Sequence, residues 1–383
     1  MEHGNQAGGG WPIGPEPADD TAARAESAAG DAAPFAAEPA PAPAGDPSVR
    51  RGLLLWLVAL LALGLGGLAF GMQELAALIA FAGVAIAAQA ADVDPRWFAP
   101  YVVVGAVVPI GGAAMFAFLA NLIWTGDLTP ALRIAGGSVA ILAAAISLFS
   151  IHPAVARGLV HGLFRTTADS HALRLAARVV VMGILSAFPA SLVVPQLLEP
   201  MLNQPGGLFE SGPLGGELVG YIVLALASIG FLVRRDLRQS LDRLGLRTLG
   251  FRDLAYIAAG VGVLFLLNIG ADWLQNHYFH KSWEADHRVN EELVRGLTTP
   301  LAVLLGATAG IGEEITLRGA LQPRLGIPLT ATLFAALHVQ YSWFGMVAVL
   351  LLGVVLGVLR QRSCTTTAMA VHAIYDVMAV FTT

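Results

Sequence analysis

The sequence predicts an all-α, polytopic membrane protein of about eleven transmembrane helices, with a range of nine to eleven. Three observations predict it. Hydrophobic residues make up 56% of the chain and charged residues only 13%, where a soluble domain carries about 25% charged residues. The mean hydropathy is +0.68. The apolar residues fall in runs close to the ~20 residues that cross a bilayer. The formal charge of −5 arises in one place: residues 1–51 hold eight acids against Arg24, Arg50 and Arg51, and the remaining 19 acids and 19 bases cancel. The balance gives no sign of a nucleic-acid partner. Membrane lipids are the partners this composition leads one to expect. The single cysteine, Cys364, excludes an internal disulfide and a thiolate metal cluster.

Residues 1–50 are rich in Ala, Pro, Gly and acids without an apolar period, which predicts a disordered tail. No apolar core follows a basic start, so the tail does not read as a signal peptide. Spans are then expected over 53–71, 75–91, 101–124, 131–151, 179–198, 218–233, 254–275, 298–317, 328–344, 345–359 and 366–381. Pro109, Pro189 and Pro195 are expected to kink their helices, with neighbouring helices re-satisfying the freed carbonyls.

Every second loop is basic. Arg50 and Arg51 precede the first span, Arg157, Arg165, Arg174 and Arg178 follow the fourth, and six arginines from Arg234 to Arg252 follow the sixth. Arg318 and Arg324 follow the eighth, and Arg360 and Arg362 the tenth. The opposite loops carry Glu199, Glu210 and Glu217, or the mixed segment 276–296. By the positive-inside rule the basic side, and with it the N-terminus, is expected to be cytoplasmic; a bacterial cytoplasmic membrane is the expected location. The segment 234–253 reads as a basic connector. It divides residues 51–235, whose role is open, from residues 236–383, which hold the intramembrane acids and histidines.

Those residues form the chain's most informative pattern. Glu313 and Glu314 are adjacent in an apolar run, and Arg318 follows four residues after Glu314. Charge at mid-bilayer costs roughly 2.5–3.5 kcal/mol per residue on insertion scales. Residues four apart share a helix face, so Glu314 and Arg318 can pair. Glu313 is turned roughly 100° away and is left for another helix or a wet cavity. Gly306, Gly310 and Gly312 precede it and permit close helix approach. Phe334 and His338 share a face of the next span, and His372 and Asp376 of the last, so Asp376 can hold the His372 imidazole. Each pair has a structural explanation alone: an ion pair, a packed histidine, a His–Asp pair. Together they make a reactive set. A carboxylate can deprotonate water with a histidine relaying the proton, and a second histidine can donate to a developing oxyanion. No Gly-x-Ser-x-Gly nucleophile motif lies in these spans, and the only lysine is Lys281.

The ordered pattern Glu-Glu-x-x-x-Arg (Glu313, Glu314, Arg318), Phe-x-x-x-His (Phe334, His338) and His-x-x-x-Asn/Asp (His372, Asp376) resembles the CAAX prenyl-protease-like intramembrane proteases. This is the CPBP or ABI family, which includes bacteriocin-processing and immunity proteins and Rce1-type endopeptidases. The stretch from Leu241 to Leu254 is similar to the usual start of that domain, so the resemblance covers about residues 240–381. It implies a glutamate-dependent endopeptidase with its site inside the bilayer. By that resemblance Glu313 activates water assisted by His338, His372 and Asp376 stabilise the oxyanion, and Glu314 and Arg318 support the site. Glu plus two His is also a plausible zinc set, but neither a metal nor another cofactor is expected. Asn at position 376 could donate an amide hydrogen; Asp376 is instead expected to orient His372 and keep it protonated. The resemblance implies a membrane-associated peptide or protein as the partner and substrate, and nothing in the sequence selects a prenylated one. Two alternatives stay open: a non-catalytic binding or immunity protein on the same scaffold, and a transporter whose Glu and His relay protons.

Overall fold

A computed structural model describes residues 46–195, Leu197 and residues 209–382. The tail expected over residues 1–50 lies outside the described residues as far as residue 45, as do Glu199 and part of the far end of the span expected over 179–198. The described residues belong to one packed unit.

Helix α1 (Pro47–Ala69) begins where the sequence supplies a start signal. Asp46 accepts from the Ser48 N–H at 2.7 Å, and Pro47 fills the first helical position, where its missing N–H loses no bond. Then come α2 (Gln73–Val93), a 3-10 turn (Pro95–Trp97), α3 (Phe98–Gly105), α4 (Val107–Thr125), α5 (Pro130–Phe149), α6 (Pro153–Phe164) and α7 (His171–Ser191). The start of α7 is closed by side chains. Asp92 accepts from the N–H groups of His171 and Ala172 at 2.6 and 3.1 Å, and Ser170 from that of Leu173 at 3.1 Å, satisfying three donors that a helix leaves unpaired.

Helix α8 (Ser211–Ser228) leads to the short α9 (Leu237–Leu244), which opens on an Asp236–Gln239 capping box and ends at left-handed Gly245. Next are the long α10 (Phe251–Tyr278), α11 (His280–Val294) and α12 (Thr299–Ala307). Two π-helical segments follow, Thr308–Glu313 and Ile315–Leu321. The chain closes with α13 (Gln322–Ala336), α14 (Trp343–Arg362) and α15 (Thr365–Val380).

Among the described residues nine helical stretches are long and apolar enough to cross a membrane, the low end of the expected range. Their outer faces carry exposed Leu54, Leu61, Leu266 and Ile269, as a lipid solvent requires. The chain is an integral membrane protein.

Three expectations change. The last expected span, 366–381, is the 16-residue α15 and is not among the nine. The spans expected over 298–317 and 328–344 form one 38-residue stretch, Thr299–Ala336. It is broken at Gly326, whose φ of 74° and ψ of 173° are not helical, a conformation that glycine reaches because it has no Cβ. The expected helix over 328–344 therefore stops at Ala336, and His338 sits on a non-helical connection to α14. A competing start signal ends it. Ser342 caps α14 by accepting from the Gly345 N–H at 3.3 Å, and Asp286 of α11 holds Ser342 through its N–H at 2.6 Å and its hydroxyl at 2.7 Å.

Glycines set the approach of α15. A Cβ at Gly306 would lie 2.9 Å from the Ala373 carbonyl oxygen, and one at Gly310 only 2.4 Å from the Ala373 nitrogen. Gly310→Ala should therefore cost about 1–3 kcal/mol as overpacking and lower the thermal midpoint of the detergent-solubilised protein. Gly262→Ala on α10, where an added Cβ meets nothing within 4 Å, should leave that midpoint unchanged.

Candidate active site

The site is built on the two π segments. A π turn closes i→i+5 bonds and is often found at functional positions. It also leaves carbonyls outside the regular ladder, and basic side chains collect them. Arg243 of α9 donates to the Gly319 and Ala320 carbonyls at 3.0 and 3.1 Å, and Arg360 of α14 to that of Arg318 at 3.3 Å. The end of α9 also positions α15. Thr365 donates through its hydroxyl to the Leu244 carbonyl at 2.6 Å and through its N–H to that of Gly245 at 3.0 Å.

Glu314 lies between the segments. Its Oε1 is 2.9 Å from Arg318 Nη1, with both side chains fully buried. Arg318 also donates to the Gly353 carbonyl at 3.2 Å and stands 4.4 Å above the Phe334 ring. Arg318 is thus an internal ion-pair partner and drops out of the loop charges that orient the chain. The same Glu314 oxygen is 3.1 Å from His372 Nδ1, a link between the first and third motifs that spacing alone does not reveal. On its other side, His372 Nε2 is 3.4 Å from Asp376 Oδ2. His372 therefore stands between two carboxylates.

Phe334 is the hub. Its ring centroid is 4.7 Å from that of His338 and 5.8 Å from that of His372. His338 Nδ1 lies 2.8 Å from the Phe334 carbonyl, so the Nδ1–H donates there and Nε2 keeps its lone pair. The His338 ring runs nearly parallel to that of Tyr341 at 6.5 Å, and the Tyr341 hydroxyl donates to Asn290 of α11 at 2.9 Å. Non-helical backbone at membrane depth is tolerated where it is buried in protein or lines a wet cavity, and His338 occupies such a stretch.

Glu313 is within electrostatic range of His372, Glu314 and Arg318, and of Asp376. Its Oε2 is buried with no hydrogen-bond partner among the described residues, as is the second oxygen of Glu314. The structure thus gathers Glu314, Arg318, Phe334, His338, His372 and Asp376 by direct contacts, with Glu313 beside them. Among the described residues no three His, Cys, Asp or Glu side chains are arranged to hold a metal ion: the His372 nitrogens face carboxylates and one His338 nitrogen faces a carbonyl.

Sequence reasoning missed two neighbours. Glu217 was expected in an outer loop but lies inside α8, half-buried, and Tyr221 is one turn further on. Their i,i+4 spacing on one apolar helix was the available signal.

Residues 295–378 match the family model for type II CAAX prenyl endopeptidase Rce1-like proteins. Among curated proteins, the uncharacterized protein YpbD of Bacillus subtilis (strain 168) is 26% identical over 142 residues, covering 37% of this chain and 72% of the relative. No solved structure matches. The matched segment, residues 295–378, carries every motif residue of the site, so the site residues are those that the Rce1-like model covers.

Proposed function

We propose that the protein is an intramembrane endopeptidase in which Glu313 activates water for attack on a peptide carbonyl of a membrane-associated substrate. The observation that carries this reading is the buried Glu313 Oε2 without a protein partner. A buried acceptor left unpaired costs roughly 1–3 kcal/mol, and a bound water or substrate group at that oxygen recovers it. Glu313 takes one proton as the water oxygen bonds to the carbonyl carbon. His338 assists through the Nε2 lone pair that its Phe334 hydrogen bond leaves free. The carbonyl oxygen becomes an oxyanion, and the proton is later delivered to the leaving amine as the C–N bond breaks.

His372 suits oxyanion stabilisation. With a carboxylate at each ring nitrogen, both nitrogens act as donors only in the imidazolium form. Charge-assisted hydrogen bonds are roughly twice as strong as neutral ones. The 3.4 Å separation from Asp376 is loose enough for Nε2–H to turn to a substrate oxygen. His372→Ala should lower the rate by about 10²–10³-fold, the scale for losing an oxyanion donor. Asp376→Asn, which keeps a polar partner for Nε2, should cost no more than about tenfold. Equal losses in the two variants would reject the orienting role of Asp376.

The proposed location is a bacterial cytoplasmic membrane with the N-terminus inside, on the arginines at the start of α1, between α5 and α7 and between α8 and α10. The direct test compares the peptide termini of membranes containing wild-type or Glu313→Gln protein. Termini present only with the wild type identify the substrate. Identical sets with the two proteins would reject proteolysis.

A further inference from the structure

The family-matched segment begins at residue 295, yet one wall beside Glu313 comes from α8, far upstream. We propose that Tyr221 and Glu217 of α8 are positioning residues of the site, the Tyr221 oxygen holding the second hydrogen of the water whose first hydrogen goes to Glu313. This rests on the endopeptidase reading above.

Helix α8 turns two faces to its neighbours. One is spent on packing. A Cβ at Gly216 would lie 3.0 Å from the sulfur of Met72, and one at Gly220 2.6 Å from Leu78 Cδ1, so this face sits tightly against α2 and its leading turn. The rows three and four residues apart on the adjoining face carry Leu214, Glu217 and Tyr221, and α8 packs against both π segments. The Leu214 carbonyl accepts from the Thr308 hydroxyl at 3.2 Å, fixing the height of α8 against the first π segment. Further along, the Tyr221 ring fills the space a side chain on Gly312 would need: a Cβ there would be 2.5 Å from Tyr221 Cδ2. Gly312 immediately precedes Glu313, so the Tyr221 ring is packed directly beside the backbone of the proposed base.

Glu217 and Tyr221 stand four residues apart on this face, so the Tyr221 hydroxyl can reach the Glu217 carboxyl, and both are within electrostatic range of Glu313. An acid in an apolar helix is costly and commonly functional. A purely structural Tyr–Glu pair gains nothing from lying near a second carboxyl, because like charges oppose each other. If Tyr221 donates to Glu217, the lone pairs of its oxygen remain available to accept. An acceptor beside a base is the arrangement that orients a water: one hydrogen to each, with a water lone pair directed at the carbonyl carbon. Misplacing a reacting group by about 1 Å can cost about 10²-fold.

The test uses the purified full-length protein and a synthetic peptide spanning a junction found by the Glu313-dependent terminus comparison. Tyr221→Phe keeps the ring against Gly312 and removes only the hydroxyl. It should lower kcat by about 10–100-fold with KM changed less than about twofold and the thermal midpoint held. Glu217→Leu should lower kcat to a similar extent, and Glu217→Gln, which keeps an acceptor for the hydroxyl, should recover most of that loss. The double variant Tyr221→Phe/Glu217→Leu should be no slower than the worse single, as for groups acting as one unit. A wild-type kcat in Tyr221→Phe, or losses that multiply in the double variant, would overturn the proposal and leave the endopeptidase reading in place. A fall in thermal midpoint with unchanged kcat would overturn it in favour of packing alone. Wild-type cleavage by Glu313→Gln would overturn both.

Discussion

Glu313→Gln protein should hydrolyse a junction peptide about 10²–10⁴-fold more slowly than wild type, the range that a positioned general base contributes, while its melting curve in detergent stays superimposable. The amide matches the carboxylate in shape and cannot take a proton from water. The buried Oε2 of Glu313 has no hydrogen-bond partner among the described residues, so the substitution removes chemistry without removing a hydrogen bond of that oxygen. The rate is read from the peptide assay and stability from thermal unfolding. The alternatives give other outcomes. A binding or immunity protein on this scaffold tolerates both Glu313→Gln and His338→Ala in a binding assay. A proton-coupled transporter loses proton-driven uptake into proteoliposomes and never shows a cleaved product.

Arg318→Ala should have the largest effect on stability, about 3–5 kcal/mol, because it removes one partner of a buried ion pair and leaves Glu314 uncompensated. Arg318 and Glu314 are fully buried and 2.9 Å apart. The loss spreads through the site, since Arg318 also donates to the Gly353 carbonyl and covers the Phe334 ring. Among the described residues Glu314 would then keep His372 as its ion-pair partner. Thermal or denaturant unfolding in detergent checks the prediction. The variant Glu314→Gln/Arg318→Met should be less destabilised than Arg318→Ala, because removing both charges avoids an orphaned one. A double variant as unstable as the single would show that packing, and not charge, sets the cost.

Much of this architecture was legible in the sequence. The apolar runs gave the polytopic helical class, and the i,i+4 spacings gave the Glu314–Arg318 and His372–Asp376 neighbours seen in the structure. What was illegible follows from the assumptions of such spacing. A 3.6-residue period cannot anticipate the π segments Thr308–Glu313 and Ile315–Leu321. The break at Gly326 falls in the gap expected between 317 and 328, but an apolar run does not disclose where its helix ends, so the end at Ala336 was missed and His338 was placed in a span. Contacts between distant segments lie beyond any local period. The 3.1 Å approach of Glu314 to His372 crosses 58 residues, and Tyr221 meets Gly312 from another helix. Arg318 was counted with the loop charges because hydropathy cannot separate a helix-end arginine facing water from one folded inward onto a carboxylate.

The break at Gly326 also bears on how the protein is made. The helical piece beyond it, Ile327–Ala336, rises about 15 Å at 1.5 Å per residue, half of a hydrocarbon core about 30 Å thick. Such a piece is a poor candidate for independent recognition by the insertion machinery. It depends on being escorted into place by the longer helices on either side. The reactive histidine that follows it can then be delivered only after those neighbours have docked. On the proposed endopeptidase reading, a nascent chain would remain chemically inert until its topology was complete, sparing other membrane proteins under synthesis nearby from premature cutting.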